Sequence, residues 1–442
     1  MLIEELTIEN IRCFEKATMK FKNKCWVTLL GQNGCGKSTV LQSLGLLLAG
    51  PEGAQILAPR PVGWLRDESR RGKLSINIHQ GDSDPGGFGS QKVTRSFGYS
   101  FFVTGSDQLT VNNKLYTEPG VHATPERRLT WLRQNAFTSK GTGWFAVGYG
   151  AFRRLTRKSE IIVPSLEPPT RYTNFFSQFD EDQPLSAFER WMVYLDYSIV
   201  KSDAGEQRHK EAKRQKALGI DAINSVLPRG VRFDSVTAEG RIFFDVGGVK
   251  VPTLALSDGY RSVLALTGDL IWRLIQAFPE SSDPLKEEGV VLIDELDIHL
   301  HPIWQRDISL WLRKQFPNLQ FIVATHSPFI AAGAGQEALT LKFSLSNGKT
   351  LVEEVPNFSA LSVDRVLQSD AFGNVSPYSP QTQEKIDRYD ALLVKRTKLS
   401  DKERTEFEQL SLFVETARPI GGPPEPGSLQ SRIETYLEKT LP

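Results

Sequence analysis

The segment Gly31–Thr39 constrains this chain more than any other stretch, because it matches the pattern G-x-x-x-x-G-K-[ST]. An apolar run, Trp26–Leu30, precedes it, and a second apolar run, Val40–Leu46, follows. This order predicts a strand, a glycine-rich loop and a helix, which is the context in which the pattern binds a nucleoside triphosphate. Glycine lets backbone N–H groups turn toward a phosphate, and the N-terminus of the helix attracts the same anion.

The side chains of this loop have distinct predicted roles. Lys37 is expected to reach the β- and γ-phosphates, and the Ser38 hydroxyl is expected to ligate Mg²⁺. The sequence therefore predicts ATP and Mg²⁺ as cofactors. The predicted nucleotide-binding residues of the loop are Gly31, Asn33, Gly34, Gly36, Lys37, Ser38 and Thr39.

A pair of carboxylates, Asp294 and Glu295, follows the apolar run Val290–Ile293. An apolar strand that ends in two acidic residues is typical of the second nucleotide motif, Walker B. Asp294 is predicted to be a Mg²⁺ ligand opposite Ser38, and Glu295 is predicted to orient or deprotonate the attacking water. An acidic pair after a strand is otherwise an ordinary solvated loop, so the upstream phosphate loop decides between the two interpretations.

A third apolar run, Leu319–Ala324, leads into Thr325, His326 and Ser327. Since the carboxyl ends of parallel strands meet at one edge of a sheet, His326 is a candidate sensor of the γ-phosphate and a candidate catalytic residue. A structural histidine remains the alternative.

The segment Leu256–Ser262 opens an apolar helix, and its Ser257 lies 37 residues before Asp294. Ser257 is a good N-cap, which is one explanation for its presence. The alternative is functional: Ser257 and Gly259 at a helix N-terminus could hold a γ-phosphate presented by a second subunit.

Composition limits the partners. The chain has 53 basic and 52 acidic residues, so a polyanion could bind only at a local patch. Three cysteines without framework spacing favour a reducing compartment, and we expect a cytoplasmic protein without a membrane segment. Two basic clusters could face DNA or could be solvated surface: arginines 127, 128, 153, 154 and 157, and residues Lys210, Lys213, Arg214 and Lys216.

The spacing of apolar runs predicts an α/β fold with a doubly wound, largely parallel core sheet. An antiparallel β subdomain is expected from strands at 74–79, 93–103 and 108–115, after a loop from Gly50 to about Lys73. Residues 231–251 predict two strands. The expected domains are 1–180 with the phosphate loop and β subdomain, 181–230 as a helical insertion, 231–344 with the remaining motifs, and 345–442 as a C-terminal helical tail.

The order of these motifs resembles the ABC-type ATPase heads of the SMC, RecF and OLD families. The matching strings are Gly31–Thr39, Leu256–Arg261, Val290–Glu295, Leu296-Asp297 and Thr325-His326-Ser327. One departure is Asp258, which stands where such proteins usually have glycine and would bring a negative charge near the phosphates. Gln80 and Gln134 are candidates for the glutamine of the Q-loop.

Within this class, several strings are similar to stand-alone ATPases of bacterial antiphage systems, above all the Septu ATPase family that also accompanies some retrons. They are 147–154, Leu256–Ser262, Asp294–Pro302 and Val363–Phe372. The resemblance implies an ABC-type head with a helical lobe. OLD nucleases carry a Toprim domain after the ATPase, and we do not expect one here, because the sequence past His326 has no Asp-x-Asp and no strand-rich α/β pattern.

The resemblance also implies an ATPase subunit that dimerises around ATP and regulates a separate, HNH-type nuclease. The alternative is a RecF-like DNA-repair ATPase that binds DNA itself. No nuclease centre is expected in this chain, since His299 and His301 lack the spacing of a zinc site. The tail is expected to bind a partner or to mediate oligomerisation through a final helix, Leu429–Leu441, after a Pro/Gly break at 419–427. The alternative is that this helix packs back on its own ATPase head.

Overall fold

The computed structural model describes residues 1–85, 95–111, 114–138, 143–153, 169–180, 185–227, 230–395 and 399–417. The chain divides into two compact units, Met1–Phe372 and Gly373–Pro442. Arg154, Arg157, the Pro/Gly break and the predicted final helix lie outside the described residues.

The strands of the described part, in chain order, are β1 (Leu2–Ile11), β2 (Phe14–Lys20), β3 (Trp26–Gly31), β4 (Gly72–His79), β5 (Ser96–Val111), β6 (Lys114–Ala123), β7 (Phe145–Tyr149), β8 (Val231–Val236), β9 (Ile242–Val246), β10 (Val249–Pro252), β11 (Gly289–Ile293), β12 (Leu319–Ala324), β13 (Leu339–Ser346) and β14 (Lys349–Val355). Its helices are α1 (Lys37–Leu57), α2 (Arg127–Asn135), α3 (Phe176–Phe179), α4 (Ala187–Lys201), α5 (Gln207–Val226), α6 (Asp258–Ala277), α7 (Pro302–Gln315), α8 (Pro328–Gly333), α9 (Val363–Leu367), α10 (Pro380–Val394) and α11 (Asp401–Ala417).

A six-stranded sheet forms the centre of the first unit, in the order β14-β13-β3-β12-β11-β7. Strands β13, β3, β12, β11 and β7 are parallel, and β14 pairs antiparallel with β13. Alternate residues of β11 enter different cores: Val290 and Leu292 pack on the side of α1, whereas Val291 and Ile293 pack on the side of α6 and α7. Burial on both faces explains why these strands read as continuous apolar runs.

The carboxyl ends of β3, β7, β11 and β12 therefore lie at one edge of this sheet. A second sheet, in the order β2-β1-β4-β5-β6, is antiparallel. A mixed α/β fold with a parallel core sheet and an antiparallel β subdomain is confirmed.

The predicted interruption near residues 104–107 is wrong, because β5 continues through it. The pairing of β5 with β6 shifts register between Thr104 and Asp107. A β-bulge at this point absorbs Gly105 and Ser106, which a sequence pattern cannot distinguish from a turn.

Helices α4 and α5 form a helical lobe together with a small antiparallel sheet of order β10-β9-β8. Three strands occupy residues 231–252, where two were predicted. The predicted turn at Gly247-Gly248 connects β9 to β10, with positive φ at both glycines.

The predicted loop from Gly50 is also wrong in its first part, since α1 extends to Leu57. Gly50 has φ 83° and ψ 170°, so the helix is kinked there. A Cβ at Gly50 would lie 2.4 Å from the Phe137 ring. Pro51 starts the second segment of α1, where a missing N–H costs little.

The predicted boundary at residue 345 falls within β13. Strand β14 pairs antiparallel with β13 and so belongs to the central sheet. The first compact unit continues to Phe372. In the second unit, α10 and α11 contact each other: Tyr389 stacks on Phe407 at 5.1 Å, and Arg388 pairs with Glu406. In the described residues, no helix is long and apolar enough to cross a bilayer.

Candidate nucleotide site

The glycine loop lies between the end of β3 and the start of α1, as the pattern predicted. Gly31 has φ 152°, and a Cβ there would lie 2.4 Å from the Phe343 carbonyl oxygen of β13. Gly36 has φ 98°, and a Cβ would lie 2.6 Å from Cys13 Sγ and from the Phe14 ring. These two positions require glycine, because both the left-handed conformation and the close neighbours exclude a side chain.

The crest of the loop, from Gln32 to Gly34, and the side chain of Ser38 are exposed, whereas Lys37 and Thr39 are buried. Lys37 Nζ donates to the carbonyl oxygens of Gly31 and Gln32, at 2.7 and 3.0 Å. Burial lowers the pKa of Lys37, and the nearby carboxylates of Asp294 and Glu295 oppose that effect. The ammonium group is thus held inside the curve of the loop.

Asp294 lies at the carboxyl end of β11, where its N–H donates to the Tyr149 carbonyl of β7 at 2.9 Å. Its carboxylate lies against Ser38. Burial raises the pKa of Asp294, and the hydrogen bond with the Ser38 hydroxyl opposes part of this rise. Asp294 Oδ1 is buried, and no residue of the described part donates to it. A buried carboxylate oxygen without a donor beside a serine hydroxyl fits a hard divalent cation such as Mg²⁺.

Glu295 has a left-handed backbone, with φ 46°. This conformation is uncommon for a residue with a side chain and is usually retained only where the surroundings enforce it. Its pKa is raised by partial burial and by the charges of Asp294 and Asp297, while Lys37 and Arg153 oppose the rise.

A hydrogen-bond network connects the segment after β11 with the segment after β12. Asp297 Oδ1 accepts from Thr325 Oγ1 at 2.5 Å and from the His326 N–H at 3.2 Å. Thr325 Oγ1 accepts from the Ser327 N–H at 3.0 Å, and Ser327 Oγ bonds Gln305 Oε1 at 2.6 Å. Since His326 itself is exposed, this network fixes its backbone and leaves its ring accessible.

The pKa of His326 is lowered, first because its ring is partly shielded from solvent and then because Lys37 is a nearby positive charge. A neutral imidazole can donate one hydrogen bond from one ring nitrogen and accept another at the second nitrogen. The structure therefore brings Lys37, Ser38, Asp294, Glu295 and His326 to the same edge of the central sheet, as the motifs predicted. Their catalytic roles stay predictions.

The sequence analysis placed Arg153 in a basic cluster that could face DNA or could be solvated surface, and both interpretations are wrong for this residue. The side chain is 2% exposed. Its Nη1 donates to the carbonyl oxygens of Gly150, at 2.8 Å, and Asp294, and its Nη2 donates to that of Glu295 at 2.8 Å. The segment after β7 turns this arginine inward beneath the Walker B carboxylates.

Arg12 is a second residue that the sequence reasoning missed. It lies in the turn between β1 and β2 with φ 47°, and its guanidinium lies 4.4 Å from the centre of the Trp64 ring. Arg12 Nη1 donates to Gln42 Oε1 at 2.7 Å and to Thr39 Oγ1 at 3.4 Å. No local pattern identifies an arginine whose partners are distant in sequence.

Ser257 and Gly259 lie in a separate, open groove of about 460 Å³, which is lined by Ser257, Gly259, Tyr260, His299, Leu300, His301, Ile303 and Trp304. Ser257 is the exposed N-cap residue of α6, and its side chain makes no capping hydrogen bond within the described structure. Arg261 Nη2 donates to Asp258 Oδ1 at 2.8 Å, so a positive charge balances the acidic residue that departs from the family pattern.

The two candidates for the Q-loop glutamine lie elsewhere. Gln80 follows β4, and its Nε2 donates to the Asp84 carbonyl at 3.0 Å, whereas Gln134 lies in α2. His301 caps α7 by accepting from the Ile303 N–H at 3.3 Å, which supports a structural role for it. Among the described residues, no group of three or more His, Cys, Asp and Glu could hold a metal ion.

Comparison with known proteins yields one family model, "AAA domain, putative AbiEii toxin, Type IV TA system", which matches residues 27–332. The chain is similar to "Retron Vc95 probable ATPase" of Vibrio cholerae serotype O1 biovar El Tor, with 31% identity over 88% of this chain and 83% of that protein. It is also similar to "Septu protein PtuA" of Bacillus mycoides (strain KBAB4), with 26% identity over 92% of this chain and 50% of that protein. The chain thus spans about half the length of this second relative.

Among solved structures, the chain is similar to the SMC head bound to the C-terminal winged-helix domain of ScpA. The match covers 82% of this chain and 99% of the SMC head chain. The sequence identity is 13% and the TM-score is 0.48. The resemblance to Septu and retron ATPases that the sequence motifs predicted is confirmed by the two relatives.

Proposed function

The chain belongs to the AAA-domain family whose model matches residues 27–332, and from this membership we propose that it binds ATP with Mg²⁺ and hydrolyses it. One observation carries the proposal. The Ser38 hydroxyl lies against the Asp294 carboxylate near the Lys37 ammonium, and the buried Oδ1 of Asp294 has no donor among the described residues. Phosphoryl transfer requires little beyond positioning and neutralisation of charge, and these groups supply both.

The proposed roles follow from the geometry. Backbone N–H groups of the loop around Gly34 and Gly36 bind the phosphates, and Lys37 exchanges its two carbonyl acceptors for the β- and γ-phosphate oxygens. Ser38 and Asp294 hold Mg²⁺, which neutralises charge on the phosphates when bound. Asn33, on the exposed crest of the loop, and Thr39, in the first turn of α1, complete the phosphate contacts.

Glu295 orients the attacking water and accepts its proton. The raised pKa of this carboxylate supports its use as a base. His326 donates a hydrogen bond to the γ-phosphate from an exposed position that the Asp297–Thr325 network fixes.

We further propose that ATP is bound between two chains, with Ser257 and Gly259 of one chain facing the phosphate loop of the other. The exposed N-cap of α6 and the open groove around it support this arrangement, because a helix N-terminus without a capping side chain can bind an anion. The ion pair of Asp258 with Arg261 removes the charge that would oppose it.

The relatives named as Septu and retron proteins support a role as the ATPase subunit of an antiphage system in the cytoplasm. In this proposal, the dimer regulates or assembles a separate, HNH-type nuclease, and residues after Phe372 contribute to partner binding. A RecF-like ATPase that binds DNA directly is the alternative, and the burial of Arg153 weakens it.

The decisive experiment compares the wild-type chain with Glu295→Gln. We expect the variant to retain ATP binding in a filter or fluorescence assay while multiple-turnover hydrolysis falls by about 10²–10⁴-fold, the range for loss of a positioned base. Near wild-type hydrolysis by the variant would remove Glu295 from the mechanism. Salt-dependent affinity for duplex ends, without a co-purifying nuclease from the native operon, would favour the alternative.

A further inference from the structure

Arg153 is a buried arginine, and the described hydrogen bonds of its guanidinium end on backbone carbonyls rather than on a carboxylate. It reaches the carbonyls of Gly150 after β7 and those of Asp294 and Glu295 after β11. We propose that Arg153 is the positioning residue that holds the backbone of Glu295 in the conformation its carboxylate needs for water activation. This inference rests on the proposed function of Glu295 as the base.

The backbone of Glu295 has a strained conformation that contacts with neighbouring residues must stabilise. A left-handed φ of 46° at a non-glycine residue costs free energy and needs enforcement by neighbours. The Glu295 carbonyl accepts from Arg153 Nη2 at 2.8 Å and from the Ile298 N–H at 3.1 Å. The next residue is anchored as well, because the Leu296 N–H donates to the Ala324 carbonyl of β12 at 3.1 Å. The peptide after Glu295 is thus fixed on both sides, and the guanidinium supplies one of these sides.

The planar fork of arginine fits this task. Two nitrogens of one rigid group bond two successive carbonyls, so the relative orientation of the Asp294 and Glu295 peptides is set by one side chain. Burial lowers the pKa of Arg153 to about 10, so the group stays protonated near neutral pH. Arg153 also borders a small apolar cavity that Val263 and Leu266 of α6 help to line. The residue therefore lies between the Walker B segment and α6.

Arg171 provides a matched control within the same chain. It is also buried, at 8% exposure, and it also donates to backbone carbonyls, those of Leu48 and Trp144. Burial lowers its pKa to about 10 as well. Trp144 precedes β7, so Arg171 acts at the amino end of the strand whose carboxyl end leads to Arg153. If turnover depended on buried arginines in general, substitution of either arginine would lower kcat through Glu295. If Arg153 positions Glu295, only the substitution of Arg153 would do so.

The test is a double-mutant cycle with Glu295→Gln, read as steady-state hydrolysis of radiolabelled ATP by the full chain over a range of ATP concentrations. Arg153→Met in the wild-type background is expected to lower kcat by about 10–100-fold with KM changed less than threefold, as for a small misplacement of a reacting group. In the Glu295→Gln background the same substitution is expected to lower the residual rate by less than threefold, because a positioning residue has nothing left to position. Arg171→Met is expected to change kcat by the same factor in the wild-type and the Glu295→Gln backgrounds.

Arg153→Lys keeps the charge but cannot bond both carbonyls in a fixed plane, and it covers the case in which Arg153→Met does not fold. We expect it to bind ATP with wild-type affinity and to lose at least threefold in kcat, again only while Glu295 is present. Wild-type kcat in Arg153→Lys, or equal factors for the Arg153 substitution in both backgrounds, would overturn the inference. These outcomes leave the proposed function intact, whereas full hydrolysis by Glu295→Gln alone would overturn that function instead.

Discussion

The phosphate-loop region and the Ser257 region differ in how much of their chemistry is complete within one chain. Around the phosphate loop, Lys37 is 6% exposed and already bonded, and Asp294 meets Ser38. Around Ser257, the helix N-terminus is exposed and opens on a groove. Groups that are already buried and fixed in one chain need little reorganisation to bind a ligand, whereas the proposed phosphate contact at Ser257 would form only when a second chain is present. The comparison predicts that the first region controls nucleotide binding and the second controls turnover.

Lys37→Ala is expected to have the largest effect. It removes the buried positive charge beside the phosphates, so the affinity for ATP should fall by about 10²-fold or more, since ion pairs in a shielded site are strong. Equilibrium binding of a fluorescent ATP analogue measures this, with a thermal melt to show that the chain folds. Binding within about threefold of wild type would contradict the comparison.

Ser257→Arg should instead leave ATP affinity unchanged and reduce turnover by about 10²-fold, because the side chain fills the groove that would receive the partner's phosphate. Mixing this variant with Lys37→Ala leaves at most one intact composite site per dimer. Restored, partial hydrolysis in the mixture would support sharing of the site between chains. Normal hydrolysis by both pure variants would end the trans arrangement.

Thr325→Val tests the network that fixes His326. The substitution keeps shape but removes the hydroxyl between Asp297 and Ser327, so we expect turnover to fall by about tenfold, roughly the value of a lost buried hydrogen bond. Thr267→Val is a matched control, since its hydroxyl bonds only the Val263 carbonyl within α6 among the described contacts. An equal loss in both variants would indicate a general packing effect.

Glu189→Gln should have the smallest effect on turnover, below about twofold, and it reports on the buried layer behind Ser257. Burial raises the pKa of Glu189 to about 7, while Thr253 and Arg261 oppose the rise. A carboxyl whose folded pKa lies above its unfolded value stabilises the chain at low pH and loses that contribution as pH increases from about 4.5 to about 7. We therefore expect the variant to be more stable than wild type above pH 7 by about 1–3 kcal/mol. Chemical denaturation at pH 5 and pH 8 measures the difference, and identical pH dependence in both chains would contradict it.

The sequence predicted those parts of the site whose signal is local. Glycine spacing, a lysine and a following helix are contiguous, and so are the apolar run and acidic pair at Asp294. Arg153 had no such signal, because two of its three described acceptors are backbone carbonyls 141 and 142 positions away, which any residue would supply. The same limit applies to Arg12, whose contact with Trp64 depends on packing between distant segments.

The fold errors have a related cause. Gly105, Gly50 and Pro51 are residues that usually interrupt regular structure, and here the strand and the helix continue past them. A bulge and a kink need partners to become favourable: β6 supplies the ladder across the bulge, and the Phe137 ring occupies the space that a Cβ at Gly50 would need. Such partners appear only after the chain has folded.

The kink in α1 divides the helix into two cooperative units. Pro51 has no amide proton, and the conformation of Gly50 interrupts the hydrogen-bond ladder, so opening of the second segment need not propagate into the first. Amide exchange in the turns after Lys37 can then be as slow as global unfolding, while the turns after Pro51 exchange through local fluctuations. The end of α1 next to the phosphate loop keeps its own anchors to the antiparallel sheet while the second segment opens, because Arg12 donates to Gln42 and Tyr99 donates to the Leu47 carbonyl.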